Sequence, residues 1–228
     1  MRACSLFLSL RHKMGNMELD VMYLVIILVV ILVSMVLHEL MHGAVAYWLG
    51  DDTAKAQGRL TLNPLKHIDP FMSILLPMLL AISGGPVFGG AKPVQINTRN
   101  LKFGEWGFAL VAIAGPLTNL LLAFIGFVVG HITGVIYYDV GFWTEFAVAF
   151  VMVNLGFCVF NSLPIPPLDG SRVLYAIMPD FVRRFMEQME RLGIMVVFVL
   201  IMVFGTALGS FMSAAVEFFL DAFTWVVW

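Results

Sequence analysis

The run VMYLVIILVVILVSMVLHELMHGAVAYWLG (21–50) constrains this chain more than any other feature. A helix needs about 20 apolar residues to cross a bilayer, and every backbone amide inside the hydrocarbon must be satisfied within the protein. A run this long, closed by Asp51 and Asp52, predicts a membrane-spanning helix. Runs of the same character occupy 108–130, 144–163 and 194–216. With 61% hydrophobic and 12% charged residues, the 228-residue chain falls outside the composition of soluble domains. The expected fold is an all-α polytopic membrane protein with four full transmembrane helices. A net charge of -2 excludes a broad basic face for nucleic acid. The two cysteines, Cys4 and Cys158, have neither metal-ligand nor redox spacing.

Basic residues orient the spans, because loops rich in Lys and Arg stay cytoplasmic. Lys55, Arg59 and Lys66 follow the first span, and Lys92, Arg99 and Lys102 precede the second. Arg172, Arg183, Arg184 and Arg191 lie between the last two. The loop 131–141 and the tail after Val216 have no Lys or Arg and should face outward. Segment 67–103 must then begin and end on the cytoplasmic side, so a helical and extended re-entrant element is expected within it, over 71–97. The same parity puts Arg2, Arg11 and Lys13 outside, where basic residues are disfavoured. A start at Met17 fits better, which makes 1–16 an upstream extension and 17–228 a single transmembrane domain in the cell membrane.

Inside the first span, HELMH places three ionisable groups where hydrocarbon makes them costly unless they are paired, hydrated or metal-bound. His38 and His42 are four residues apart, so their rings share one helix face, and Glu39 adjoins the first. H-E-x-x-H is the zinc-hydrolase arrangement: two histidine ligands and a glutamate that serves the water. Zinc needs a third protein ligand and an open fourth position. Asp169, in NSLPIPPLDG, follows a span that returns to the same side as His42, with prolines before it to break the helix and Gly170 after it to let the chain turn. At 1.5 Å per residue, the site would lie about 10 Å below the cytoplasmic surface, within reach of a polar channel.

HELMH, the AGPLTN stretch (Gly115, Pro116, Asn119) and the later motif (Asn161, Pro164, Pro166, Leu168, Asp169, Gly170) together resemble the site-2 proteases, intramembrane zinc metalloproteases, over about residues 21–178. GRLTLNPLKHIDP (58–70) resembles the linker of the short prokaryotic members, which have neither a PDZ nor a cystathionine-synthase-type domain. The resemblance implies one zinc ion per chain on His38, His42 and Asp169, with Glu39 as general base. It also implies transmembrane proteins as substrates, cleaved within or near their spans.

A peptide bond inside an intact helix is hidden by its own hydrogen bonds, so a substrate span must unwind before attack. The stretch 86–97 is expected to offer it a strand edge. Asn119 and Asn161 are either interhelical hydrogen-bonders or donors to the substrate backbone or oxyanion. His67 is expected at the membrane boundary and His131 in the solvated outer loop. The rival reading is a metal transporter or non-catalytic metal-binding protein, with buried His and carboxylates lining an ion path. Such a path needs ionisable residues along several spans, and outside this cluster the spans hold almost none.

Overall fold

A computed structural model describes residues 21–70, 75, 78, 79, 92–138 and 141–227. The expected extension at 1–16, and most of the expected re-entrant passage, lie outside the described residues. Four helices are long and apolar enough to cross a membrane: α1 (Val21–Trp48), α2 (Gly104–Thr133), α3 (Phe142–Asn161) and α6 (Ile194–Val227). Two shorter helices, α4 (Gly170–Ile177) and α5 (Asp180–Arg191), fill the basic segment between α3 and α6. No strand occurs among the described residues.

The chain between α1 and α2 leaves and rejoins the bundle at one end. Lys102 N donates to the carbonyl of Leu49 at 2.9 Å, and Asn97 N donates to the Asp51 carboxylate at 2.7 Å. Asp51 is fully buried and also accepts from Thr53 N, Thr53 Oγ1 and Asn100 Nδ2. Burial alone would raise its pKa, but these donors outweigh burial and hold the carboxyl below its ordinary value. A buried carboxylate with so many partners is a clamp: it fixes residues 97–100 to the end of α1.

Lipid is as apolar as leucine, so the bundle is held by close packing more than by a hydrophobic driving force between helices. One core, at the end remote from Asp51, interlocks Phe127 of α2 with Leu155 and Val151 of α3 and Leu220 and Phe223 of α6. This packing explains why α6 runs past the apolar stretch that ends at Val216. Glu217 and Asp221 interrupt the hydropathy, but Leu220 and Phe223 still have a core to enter. At its other end α6 meets the loop before α4, where Val197 packs on Leu163 and Leu168.

Gly170 has a different job from the expected turn. It is the first residue of α4 and is not among the glycines with positive φ. A Cβ there would lie 2.1 Å from the Ser162 carbonyl oxygen, so glycine is needed for space. The backbone at 169–170 can thereby fold tightly against the end of α3.

Candidate active site

The Nε2 atoms of His38 and His42 lie 2.9 Å apart in the C-terminal half of α1, and Asp169 Oδ2 sits 3.1 Å from the first and 3.4 Å from the second. Asp169 stands at the N-cap position of α4 but makes no capping bond, because its side chain is turned into the bundle. Among the described residues these three form the one group able to hold a metal ion. The spacing can be tested against zinc. Tetrahedral geometry with bonds of about 2.0–2.1 Å puts ligand atoms about 3.3 Å apart. The donor set therefore fits: two imidazole nitrogens and a carboxylate oxygen, close to the needed separation, with both histidines buried.

The far sides of the two imidazoles carry equally specific contacts. His42 Nδ1 lies 2.7 Å from the backbone carbonyl of Val111, which can only accept, so Nδ1 carries the proton and Nε2 presents its lone pair. Val111 lies in the turn of α2 just before Pro116. His38 Nδ1 lies 2.6 Å from Asn119 Oδ1. Asn119 Nδ2 donates in turn to Asn154 Oδ1 at 2.9 Å, and Asn154 Nδ2 donates to the Phe150 carbonyl at 2.8 Å. Both asparagines are fully buried.

α2 can bring these acceptors close only because residue 115 has no side chain. A Cβ on Gly115 would lie 2.5 Å from His38 Nε2 and from His42 Nε2.

Glu39 is outside the ligand triangle. Its Oε2 accepts the Val94 amide at 2.9 Å, which leaves Oε1 for other partners. Val94 belongs to an irregular stretch, 92–97, tied at both ends: Lys92 N donates to the His67 carbonyl at 2.8 Å and Asn97 N to Asp51. This stretch forms no strand among the described residues, and 86–91 of the expected edge lie outside them. His67 is buried within the loop, 1% exposed, with its Nε2 on the Thr61 carbonyl. The GRLTLNPLKHIDP motif thus supports the strap that contacts Glu39. His131 lies near the C-terminal end of α2 with its ring against Tyr137.

Of the two asparagines expected as either interhelical hydrogen-bonders or substrate donors, Asn119 takes the interhelical role, facing His38 and Asn154. Asn161, half-buried at the end of α3, donates to Phe157 one turn back. The sequence reading missed Asn154, Asp51 and the Val94 amide. A buried asparagine in an apolar span was a signal available for Asn154, whereas a backbone amide has no sequence signal at all.

The profile of peptidase family M50 matches residues 130–204, which include Asp169. "Putative zinc metalloprotease YwhC" of Bacillus subtilis (strain 168) is 46% identical over 195 residues, 83% of this chain and 83% of the relative. This chain belongs to peptidase family M50. "Putative zinc metalloprotease Rip2" of Mycolicibacterium smegmatis is 33% identical over 202 residues, 86% of this chain and 73% of the relative. "Putative zinc metalloprotease MJ0611" of Methanocaldococcus jannaschii is 31% identical over 157 residues, 68% of this chain and 72% of the relative. No solved structure matches. The M50 membership agrees with the site-2 protease resemblance of HELMH and NSLPIPPLDG, and nothing in these comparisons favours the transporter.

Proposed function

We propose that this M50 peptidase is a zinc-dependent intramembrane protease that cleaves membrane proteins within or near their spans, from the cytoplasmic side of the cell membrane. The observation that carries the reading is the triangle of His38 Nε2, His42 Nε2 and Asp169 Oδ2, with Glu39 beside it, in helices able to cross a membrane. His38, His42 and Asp169 would hold zinc and leave a position for water. Bound there, zinc supplies Lewis-acid polarisation of the scissile carbonyl and an acidified water.

The chain's own groups do the remaining work. Glu39, with Oε2 held by the Val94 amide, uses Oε1 to take a proton from the attacking water and return it to the leaving nitrogen. Asn119 and the Val111 carbonyl hold the two imidazoles by Nδ1. With Asn119 engaged there, the second N–H of Asn161, whose first donates to the Phe157 carbonyl, is the one offered to the substrate backbone or the oxyanion. The basic residues around 55–66, 92–102 and 172–191 support the cytoplasmic orientation.

Co-expression with single-span membrane proteins, scored for cleavage, tests the reading. Glu39→Gln is expected to abolish cleavage while the purified protein keeps its zinc, because the glutamate serves water and not metal. His38→Ala, His42→Ala or Asp169→Ala should lose zinc and activity together. Cleavage by Glu39→Gln at the wild-type rate would refute the assigned roles.

A further inference from the structure

The pair Asn119–Asn154 is fully buried between α2 and α3 and lies behind His38, on the side away from Asp169. An asparagine amide can face either way, so something must fix which end meets the histidine. The decisive group is the Phe150 backbone carbonyl, because it has no proton to give. Asn154 must therefore turn its Nδ2 towards Phe150 O, which leaves its Oδ1 towards Asn119. Asn119 must answer with its own Nδ2, which turns its Oδ1 towards His38. His38 must then carry its proton on Nδ1, and Nε2 is left with a free lone pair beside His42 and Asp169.

We infer that Asn154 is a positioning residue: it transmits the polarity of the Phe150 carbonyl through Asn119 to His38 and so sets the tautomer in which His38 can bind zinc. The inference rests on His38 being a zinc ligand. Among the described residues Asn154 hydrogen-bonds Asn119 and the Phe150 carbonyl and neither histidine, so its influence must pass through the orientation of one amide. Outer-shell partners of this kind are worth 10–100-fold in metal affinity. His42 needs no such relay, since a backbone carbonyl already fixes its tautomer.

The relay makes a demand that simple packing does not. If Asn154 only filled space, nothing done at Asn119 could repair its loss. If Asn154 orients an amide, replacing that amide with a group that needs no orienting should repair it. Aspartate at 119 is such a group, because both its oxygens accept and His38 Nδ1–H meets an acceptor whichever way it turns. In the presence of Asn154, however, Asn119→Asp sets an aspartate oxygen against Asn154 Oδ1. The two single variants should therefore each bind zinc more weakly than the double variant.

The test is zinc affinity of the purified full-length protein, stripped of metal and titrated against a chelator of known strength. Asn154→Leu is expected to weaken zinc binding 10–100-fold, and Asn119→Asp/Asn154→Leu to return to within a few-fold of wild type. Should Asn154→Leu fail to fold, Asn154→Ala enters the same comparison. Wild-type affinity in the Asn154 single variant, or a double variant no better than that single, overturns the relay. His38→Ala runs alongside: if it keeps wild-type affinity, His38 is not a ligand and the reading beneath the relay fails instead.

Discussion

Gly115→Ala adds one methyl group, and the structure gives its effect a size. The new Cβ would lie 2.5 Å from His38 Cε1, His38 Nε2 and His42 Nε2, where ordinary contact begins at 3.4 Å. About 0.9 Å of separation must be found. None of the three atoms is at the end of a flexible chain: both rings are buried and held at Nδ1 by Asn119 and Val111. Val111 and Ala112 are themselves buried in α2, so α2 cannot retreat alone. Overpacking of this kind costs about 1–3 kcal/mol in stability. The larger effect falls on the metal, because ligand distances tolerate only about 0.2 Å and a 1 Å misplacement costs about 100-fold. Zinc affinity and cleavage rate should each fall about 100-fold or more, equivalent to roughly 2.7 kcal/mol. Chelator competition measures the first, and cleavage of a co-reconstituted single-span substrate the second. Gly156→Ala is the matched control. It too lies in a spanning helix, but its added Cβ would meet nothing within 4 Å, so it should be neutral or slightly stabilising. Full zinc occupancy and full activity in Gly115→Ala would refute the close approach of α2 to the two histidines.

Val94→Pro removes the amide that holds Glu39 Oε2 and should lower kcat about tenfold with zinc retained, while Val94→Ala, which keeps the amide, stays near wild type; equal kcat in the two variants would count against the contact. Asp51→Asn should cost about 1.5–3 kcal/mol at neutral pH, since hydrogen bonds to a charged group are lost. The folded-state pKa of Asp51 is lowered, so its contribution is present above the ordinary aspartate value near 4 and disappears as pH falls through the folded value. The melting-temperature gap between wild type and Asp51→Asn should therefore shrink on acidification, and a gap that widens refutes the clamp. Single cysteines at the exposed positions Thr98 and Arg184, with Cys4 and Cys158 replaced, should be blocked only by reagents that enter the cytoplasm, and one at Thr133 from outside. External labelling at Thr98 would reverse the orientation.

Residue periodicity and chemical type determined much of this protein in advance. Apolar runs of about twenty residues or more leave helix as the only way to satisfy a backbone in lipid, so the four spans could be read directly. The i, i+4 spacing of His38 and His42 makes them neighbours on any helix. Parity of the basic segments then pointed to Asp169, 127 residues beyond His42 in the chain, as the partner able to come back to them. What periodicity cannot carry is contact between elements that are distant in the chain. The need for a bare α-carbon at residue 115 arises only because α2 crosses α1 at the histidines. The role of Asn119 depends on facing His38 on one side and Asn154 on the other, which no spacing rule encodes. The hold on Glu39 comes from a backbone amide, identical in every residue but proline, and only the path of the strap between His67 and Asp51 gives it meaning.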